Sequence, residues 1–280
     1  MRDVADRLCE VRGVRAVVLG GSRAVGVHDD ASDVDLGLYY GDETALDLDA
    51  LRSLGRALDD SSDPIVTEPW AWGRWVNGGA WLTIGGRRVD WIYRRISHVE
   101  DVLDALRRGE VEVDWMQHPP FGAASTAYGG ETDACVVLRD DAGHVARLKD
   151  RITVYPDALR TSIAQNWTWA ADFALRKGRS HAARGDVFNT GACLARATWF
   201  LAQVVHALDR RWSFPESRVL DHAARLPSAP PHFDRRAGNV LASPGRVATD
   251  LGRSIDAMGS LLAEVARNAG DLYRAPTFPD

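Results

Sequence analysis

The sequence predicts an α+β protein, with a mixed sheet flanked by helices in the first part of the chain and an α-helical bundle in the second. Its 280 residues are about two domain lengths. Short apolar runs of strand periodicity recur between residues 15 and 95 and alternate with helical patterns, whereas beyond residue 150 only helical spacing remains. We therefore predict a first domain over residues 1–110, a connecting segment over 111–150, and a helical domain over 151–280 that closes over the cleft of the first.

Apolar spacing orders the elements of the first domain. Val4, Leu8 and Val11 recur at helical spacing and predict an opening helix. Gly85-Gly86 joins two apolar runs, and this pattern predicts a hairpin. The further predicted helices cover residues 50–58 and 99–106, and the predicted strands cover 15–19, 34–40, 80–84 and 87–93.

The second part of the chain carries helical patterns throughout. They predict helices over residues 159–173, 194–212 and 255–265, with a Pro-rich loop over 226–231. Asp186 precedes the second of these helices, and we interpret it as a helix cap rather than a substrate ligand.

Composition and charge exclude several classes of protein. The 34 basic and 39 acidic residues leave a net charge of −5 without any basic run, which argues against a nucleic-acid coat or a polybasic membrane anchor. The 3 cysteines lie far apart and form no CxxC pair, so neither a disulfide framework nor a thiolate zinc site is expected. Because no apolar run approaches about 18 residues and no signal-peptide pattern is seen, we predict a cytoplasmic protein.

The most informative motif begins where the first strand ends. Residues 20–23 read Gly-Gly-Ser-Arg, a turn in which backbone N–H groups can converge on an anion because glycine lets the backbone approach closely. The Ser22 hydroxyl and the Arg23 guanidinium would strengthen a phosphate site there. Two familiar phosphate loops do not fit, because Val27-His28 stands where a P-loop needs Lys-Ser/Thr, and because the glycines lack GxGxxG spacing.

Three aspartates form the second part of the motif. Asp33 and Asp35 are two residues apart on a predicted strand, so their carboxylates project from one face. Asp90 lies in an apolar run of a later strand, where an unpaired acid is costly and a shared metal is one candidate partner. Carboxylate oxygens with open positions suit Mg²⁺. Taken alone, the glycine turn is typical of any strand-to-helix junction, and the pair Asp33 and Asp35 is typical of a solvated strand edge. The combination of the turn with the three aspartates favours a catalytic site.

Together these elements resemble the signature of the DNA polymerase β-like nucleotidyltransferase superfamily. That signature is an apolar strand, Gly-Ser, a short spacer, Asp-apolar-Asp, and a third Asp on a later strand. Gly21-Ser22, Asp33-Val34-Asp35 and Asp90 supply these parts within residues 15–95. The layout, a short catalytic domain followed by a helical one, is similar to that of antibiotic (aminoglycoside- and lincosamide-type) nucleotidyltransferases and their bacterial relatives. Residues 143–156 also resemble those relatives, as a weaker match.

The resemblance implies a mixed-sheet nucleotidyltransferase domain and a two-metal reaction. Asp33 and Asp35 would hold Mg²⁺ against the triphosphate of an NTP, with ATP as the expected co-substrate, and Asp90 would hold the second metal and help deprotonate the acceptor hydroxyl. Gly21, Ser22 and Arg23 would bind the phosphates while the hydroxyl displaces pyrophosphate. Some relatives use a separate carboxylate as the base, and four candidates stay open here: Glu110, Glu112, Asp114 and Glu131.

Two further groups of residues have open alternatives. Lys149 and Lys177 are the only lysines, and each is either a solvated surface group or a nucleotide-binding contact to the triphosphate. A set of tryptophans either packs in a core, which we favour, or offers a stacking platform for a base or a sugar ring. These are Trp70, Trp72, Trp75 and Trp81.

We therefore expect transfer of AMP to a hydroxyl of a small molecule such as an aminoglycoside-like antibiotic. One rival is nucleotidylation of tRNA or protein by a toxin-type relative, and the acidic balance argues against RNA. Another is a non-catalytic, antitoxin-like partner that binds NTP without releasing pyrophosphate. The expected partners are NTP and a small acceptor, without a membrane, and the resemblance alone implies a homodimer.

Overall fold

The computed structural model describes residues 1–117, 120–214 and 218–275. These residues form two compact units. The first comprises residues 1–106 and 112–154, and the second comprises 107–111 and the described residues from 155 onward. The predicted division at residues 110 and 150 stays a prediction.

The first unit is built on a sheet. Its strands are β1 (Val14–Leu19), β2 (Val34–Tyr40), β3 (Ile65–Val66), β4 (Gly79–Ile84), β5 (Arg87–Arg95), β6 (Val113–Asp114), β7 (Ala123–Ala124) and β8 (Val136–Arg139). Six of them form one sheet in the order β3-β4-β5-β2-β1-β8, and β6 pairs with β7 separately. Because β2 and β5 are parallel while the other neighbours are antiparallel, the predicted mixed sheet is confirmed.

Helices cover one face of this sheet. Alternate residues of β2 (Val34, Leu36 and Leu38) are buried in a core that also contains Leu8 and Leu51 from two helices. Since side chains alternate along a strand, the residues between them face the other side. The helices of this unit are α1 (Arg2–Cys9), α2 (Gly21–Ala24), α3 (Leu48–Leu58), α4 (Gly73–Val76), α5 (Ile96–Arg107), α6 (Thr126–Ala134) and α7 (His144–Ile152).

The predicted hairpin is confirmed, whereas residues 111–150, which were expected to be loop-like, contain helices and strands. Ile84 and Arg87 are paired across the turn, and both Gly85 and Gly86 have positive φ, at 59° and 75°, as a two-residue hairpin turn requires. In contrast, the segment predicted to be a connection holds α6, β8 and α7. Its glycine content concealed these elements, because Gly129 and Gly130 lie inside a helix, where they are buried.

The second unit is helical, as predicted. Three of its helices, α8 (Asp157–Ala182), α9 (Val187–Leu208) and α12 (Ala248–Ala269), pack against one another. Gly178 of α8 lies so close to Ile255 and Cys193 that a Cβ there would meet Ile255 at 2.7 Å. The helices are α8 (Asp157–Ala182), α9 (Val187–Leu208), α10 (Val219–Ala223), α11 (Phe233–Ala242) and α12 (Ala248–Ala269), followed by a 3₁₀ turn over Gly270–Leu272. Among the described residues, no helix is both long and apolar enough to cross a membrane.

The ends of α9 test two predictions. Asp186 caps the helix, since its carboxylate accepts a hydrogen bond from the Asn189 backbone N–H at 3.0 Å, so the cap interpretation is confirmed. The predicted extension to Trp212 is wrong. The helix ends at Leu208 because Arg210 takes a left-handed conformation, with φ of 54°, which cannot continue a right-handed helix.

Replacing Gly79 by alanine should loosen the β4–β5 pairing. The added methyl would lie 1.7 Å from the Trp91 carbonyl oxygen and 3.1 Å from the Trp72 ring, so the backbone must shift at a cost of about 2 kcal/mol or more. Amide hydrogen exchange of β4 and β5 measures this loss. Gly191→Ala is the control, because its methyl would meet nothing within 4 Å. Unchanged protection in Gly79→Ala would contradict the steric account.

Candidate active site

One row of neighbouring residues crosses the sheet of the first unit and carries two of the predicted carboxylates. Ile65 pairs with Trp81, Trp81 with Asp90, and Asp90 with Asp35. Gly20 completes the row, since its N–H donates to the Asp35 carbonyl at 2.8 Å. Directly paired residues project to the same face, with neighbouring strands about 4.8 Å apart. The row therefore places the acids between the glycine turn and a tryptophan.

The glycine turn lies directly against the Asp35 carboxylate. Gly21 has a φ of 59°, and a Cβ there would be 1.7 Å from Asp35 Oδ2. Both facts require glycine, because other residues rarely adopt this conformation and a side chain at this position would collide with the carboxylate. Ser22 follows in the short helix α2. The turn therefore packs directly against the carboxylate.

Asp33 lies one residue before β2 and is therefore not part of the strand that carries Asp35. Its Oδ1 forms an ion pair with Arg88 Nε at 2.6 Å. Arg23, predicted to bind phosphate, donates to the carbonyl oxygens of Asp33 at 3.0 Å and Ser32 at 2.8 Å. Two arginines thus hold Asp33 and its loop beside the turn, and the nucleotide-binding role of Arg23 stays a prediction.

The acids of the row hold their protons more tightly than isolated aspartates. Burial, followed by the charges of Asp33 and Glu131, raises the pKa of Asp35, and Arg23 opposes this. Burial, followed by the charges of Asp35 and Asp33, raises the pKa of Asp90 from 3.8 to about 6. Each carboxylate therefore disfavours ionisation of its neighbours, and a cation between them would relieve that repulsion.

The donor chemistry of the three aspartates fits a divalent metal, because hard oxygen ligands lie together with too little positive charge to balance them. The arrangement is not a finished metal centre. Within residues 1–117, 120–214 and 218–275, no group of three or more His, Cys, Asp or Glu side chains is placed to hold an ion. Asp35 and Asp90 are strand neighbours, but Asp33 is paired with Arg88 and would have to exchange that partner for a metal.

Glu131 on α6 is the base candidate that acts electrostatically on Asp35. It is tied to Arg94 of β5 by a two-pronged ion pair, with Nη2 to Oε2 at 2.7 Å and Nε to Oε1 at 3.0 Å. Both side chains are largely buried, at 10% and 16% exposure. Burial works against a charged Arg94, but Glu131 holds its pKa above the ordinary value. The sequence showed no sign of this pairing, which joins residues 37 positions apart.

The other three base candidates have partners of their own. Glu110 pairs with Arg108 at 2.7 Å, and this pair belongs to the second unit. Glu112 pairs with Arg74 at 2.8 Å. Asp114 lies in β6 of the separate two-stranded sheet. The identity of the base stays a prediction, and Glu131 is the candidate coupled to the row.

The two lysines are found in different units. Lys149 of α7 donates to the Asp133 carbonyl at 2.7 Å, in the last turn of α6. Lys177 of α8, in the second unit, lies 5.5 Å from the centre of the Phe173 ring. Neither contact concerns the glycine turn, and the triphosphate role of both lysines stays a prediction.

The tryptophan cluster divides into packed and exposed members. Trp75 is 6% exposed and contacts Tyr128, with ring centres 5.9 Å apart, so the packing interpretation is confirmed for it. The same interpretation is wrong for Trp81, which is 50% exposed, and for Trp70, at 37%. Trp81 projects to the face of the sheet that carries the aspartates, opposite the buried Ala80 and Leu82 on either side of it.

The chain is similar to known proteins in two family models and one solved structure. Residues 1–107 match the family described as the nucleotidyltransferase domain, and residues 131–215 match a domain of unknown function, DUF4037. No curated protein matches the chain. A solved structure, that of a nucleotidyltransferase-like protein from Exiguobacterium sibiricum 255-15, is 12% identical and covers 93% of this chain and 72% of its own, with a TM-score of 0.46.

The N-terminal part of the chain is a nucleotidyltransferase domain of the polymerase β-like superfamily, and the resemblance inferred from the Gly-Ser and Asp motifs is confirmed. This domain supports nucleotidyl transfer in general terms.

The raised pKa of Asp90 predicts a pH-dependent gain in stability for Asp90→Asn. Its folded pKa of about 6 exceeds 3.8, so ionisation destabilises the fold; the penalty is absent below about pH 4 and complete above about pH 6. Because Asp90 is partly exposed, we expect the metal-free variant to gain on the order of 1 kcal/mol at pH 8 and nothing at pH 4. Denaturant unfolding at both pH values measures this, and an equal gain at both would contradict it.

A second prediction concerns the glycine turn. Gly21→Ala should abolish NTP-dependent pyrophosphate release, because its methyl displaces the Asp35 carboxylate. Gly26→Ala is a matched control. It has the same kind of left-handed backbone, with φ of 72°, but nothing lies within 4 Å of its Cβ position. Both variants should lose about 1 kcal/mol of stability, while activity should fall in Gly21→Ala alone. Equal activities would show that contact with Asp35 is unimportant.

Proposed function

We propose that the protein transfers AMP from ATP to a hydroxyl group of a small molecule, in a Mg²⁺-dependent reaction that releases pyrophosphate. The observation that carries the proposal is the pairing of Asp35 with Asp90 next to the Gly20–Ser22 turn. Nucleotidyl transfer needs a phosphate site and a set of carboxylates at one place, and the row of the sheet supplies both.

In this proposal Asp33, Asp35 and Asp90 would hold the metal. When bound, Mg²⁺ supplies charge neutralisation for the triphosphate and favours loss of the acceptor proton. This role is supported by the mutual repulsion that raises the pKa of both Asp35 and Asp90, because a site of this kind gains most from a cation.

The chain's own groups position the reactants. Backbone N–H groups of the Gly20–Ser22 turn and the Ser22 hydroxyl bind the β- and γ-phosphates. This leaves the α-phosphorus beside Asp35 and Asp90. Asp90, paired with Asp35 on the neighbouring strand, can accept the proton of the acceptor hydroxyl. The bond from the α-phosphorus to the bridging oxygen breaks as the new phosphate ester forms, and pyrophosphate leaves.

The reaction is tested with each labelled NTP, Mg²⁺, and three acceptor classes: aminoglycoside-type compounds, tRNA and protein. The proposal expects label from ATP on a small compound together with one pyrophosphate per transfer. Label on tRNA or protein would favour the toxin-type alternative. NTP binding without pyrophosphate under any condition would favour the non-catalytic alternative and overturn the proposal.

Asp35→Asn should reduce turnover by roughly a thousandfold, because the amide removes the charge that faces both the turn and Asp90. The loss should persist at saturating Mg²⁺, with an unchanged far-UV circular dichroism spectrum. Asp101→Asn, an exposed aspartate on α5, is the matched control and should retain full activity. Full activity in Asp35→Asn would remove this residue from the catalytic assignment.

A further inference from the structure

A cavity of about 510 Å³ opens beside Asp90 at the edge of the sheet. It is bounded by residues of the first unit that include Pro64, Ile65, Trp81 and Arg88. Two of these are large apolar side chains left open to solvent, with Ile65 at 55% and Trp81 at 50% exposure. Exposed apolar groups beside a row of acids are not explained by packing, and a cavity wall of this kind is typical of a ligand site.

The exposed tryptophan is supported by a second tryptophan. The Trp72 ring stacks on Trp81, with ring centres 4.8 Å apart and planes at 19°. The backbone of Trp72 makes two hydrogen bonds. Its N–H donates to the Asn77 carbonyl at 3.0 Å, and its carbonyl accepts from Gln117 Nε2 at 2.7 Å. Asn77 is fully buried and takes a φ of 72°. Such strain is maintained only where surrounding contacts enforce it, so the backbone that carries Trp72 is held in place.

The order of the row sets the direction of the reaction. In an in-line displacement the attacking and leaving oxygens lie on opposite sides of the phosphorus. If the turn at Gly20–Ser22 holds the leaving pyrophosphate, the acceptor approaches from the opposite end. Across the sheet from that turn come Asp35, Asp90 and then Trp81. The tryptophan is thus one strand beyond the acid nearest to the acceptor, at about 4.8 Å strand spacing.

Charge selects the kind of acceptor. Among the described residues that line the cavity, Arg88 is the basic one, and it is paired with Asp33. Asp63 and Asp90 also line the wall, as does Asp59, whose carboxylate accepts hydrogen bonds from Ser61 and from the Thr83 N–H. The wall is therefore net negative, which repels phosphate-rich acceptors such as RNA and favours neutral or cationic ones.

We propose that Trp81, backed by Trp72 and flanked by Ile65, is the acceptor-binding platform, on which the ring of a neutral or cationic polyhydroxylated compound lies with a hydroxyl toward Asp90. This proposal rests on the proposed function, since it uses the position of the leaving group. Sugar and aminocyclitol rings match it, because one face presents C–H groups to the indole while the rim presents hydroxyl and amino groups to the carboxylates.

Calorimetry with the 280-residue chain tests the platform without turnover. The probes are glucosamine, kanamycin, streptomycin and a short single-stranded RNA, each with Mg²⁺ and a non-hydrolysable ATP analogue, and the analogue alone. We expect at least one ring compound to bind, and its Kd to rise at least about tenfold in Trp81→Ala. Trp81→Phe should retain most of the affinity. The Kd of the ATP analogue should change less than about twofold in both variants.

The control variant is Trp169→Ala. Trp169 is also partly exposed, at 37%, and also stacks on an aromatic neighbour, Phe173, with ring centres 5.5 Å apart and planes at 12°. It should leave the affinity for the ring compounds unchanged, which separates a platform at Trp81 from a general effect of removing an exposed tryptophan.

Three outcomes would overturn the platform. The first is an unchanged affinity for the ring compounds in Trp81→Ala. The second is an equal loss of affinity for the ATP analogue in that variant, which would make Trp81 the support of the nucleobase. The third is binding of RNA but of no ring compound. Failure of the proposed function gives a different result. In that case ring compounds still bind in a Trp81-dependent way, but labelled ATP transfers nothing to them.

Discussion

The candidate site depends on one pairing, that of β2 with β5 in parallel. A single register brings Leu36 beside Trp91 in the core and Asp35 beside Asp90 on the opposite face. Fully burying a large apolar side chain contributes about 1.5–3 kcal/mol, and several residues of both strands do so. Repulsion between two partly solvated carboxylates costs about 1–4 kcal/mol. Burial therefore outweighs repulsion, and a shift by one residue is excluded because it would bury the acids.

The repulsion that remains is distributed over neighbouring groups. Asp33 is paired with Arg88, and Arg23 holds the backbone of its loop. Glu131 adds negative charge near Asp35 but is itself held by Arg94. A buried arginine without a partner would be very costly, so this ion pair also ties α6 to β5. The result is a negatively charged site, in which a bound cation would bring the missing positive charge.

The two ends of the row differ in a way that gives the site a direction. At one end, glycine is required because the backbone lies against a carboxylate. At the other end, the Trp81 ring remains half exposed to solvent although its strand belongs to the sheet. A small, polar, backbone-lined end suits phosphates, and a broad, apolar end suits a ring. This asymmetry links the proposed chemistry to the proposed acceptor.

The sequence by itself determined the local features. Period-two and helical spacing predicted β2, the β4–β5 hairpin and the helical second part, and Gly21-Ser22, Asp33 and Asp35 with Asp90 indicated the nucleotidyltransferase domain, because these signals act over a few residues. Only the tertiary structure decided which strands are neighbours. It set the pairing of Asp35 with Asp90, the contact of Arg88 with Asp33, the tie between Arg94 and Glu131, and the exposure of Trp81. Each of these depends on segments far apart in the chain, and their approach follows from the packing of the whole sheet, which no local pattern encodes.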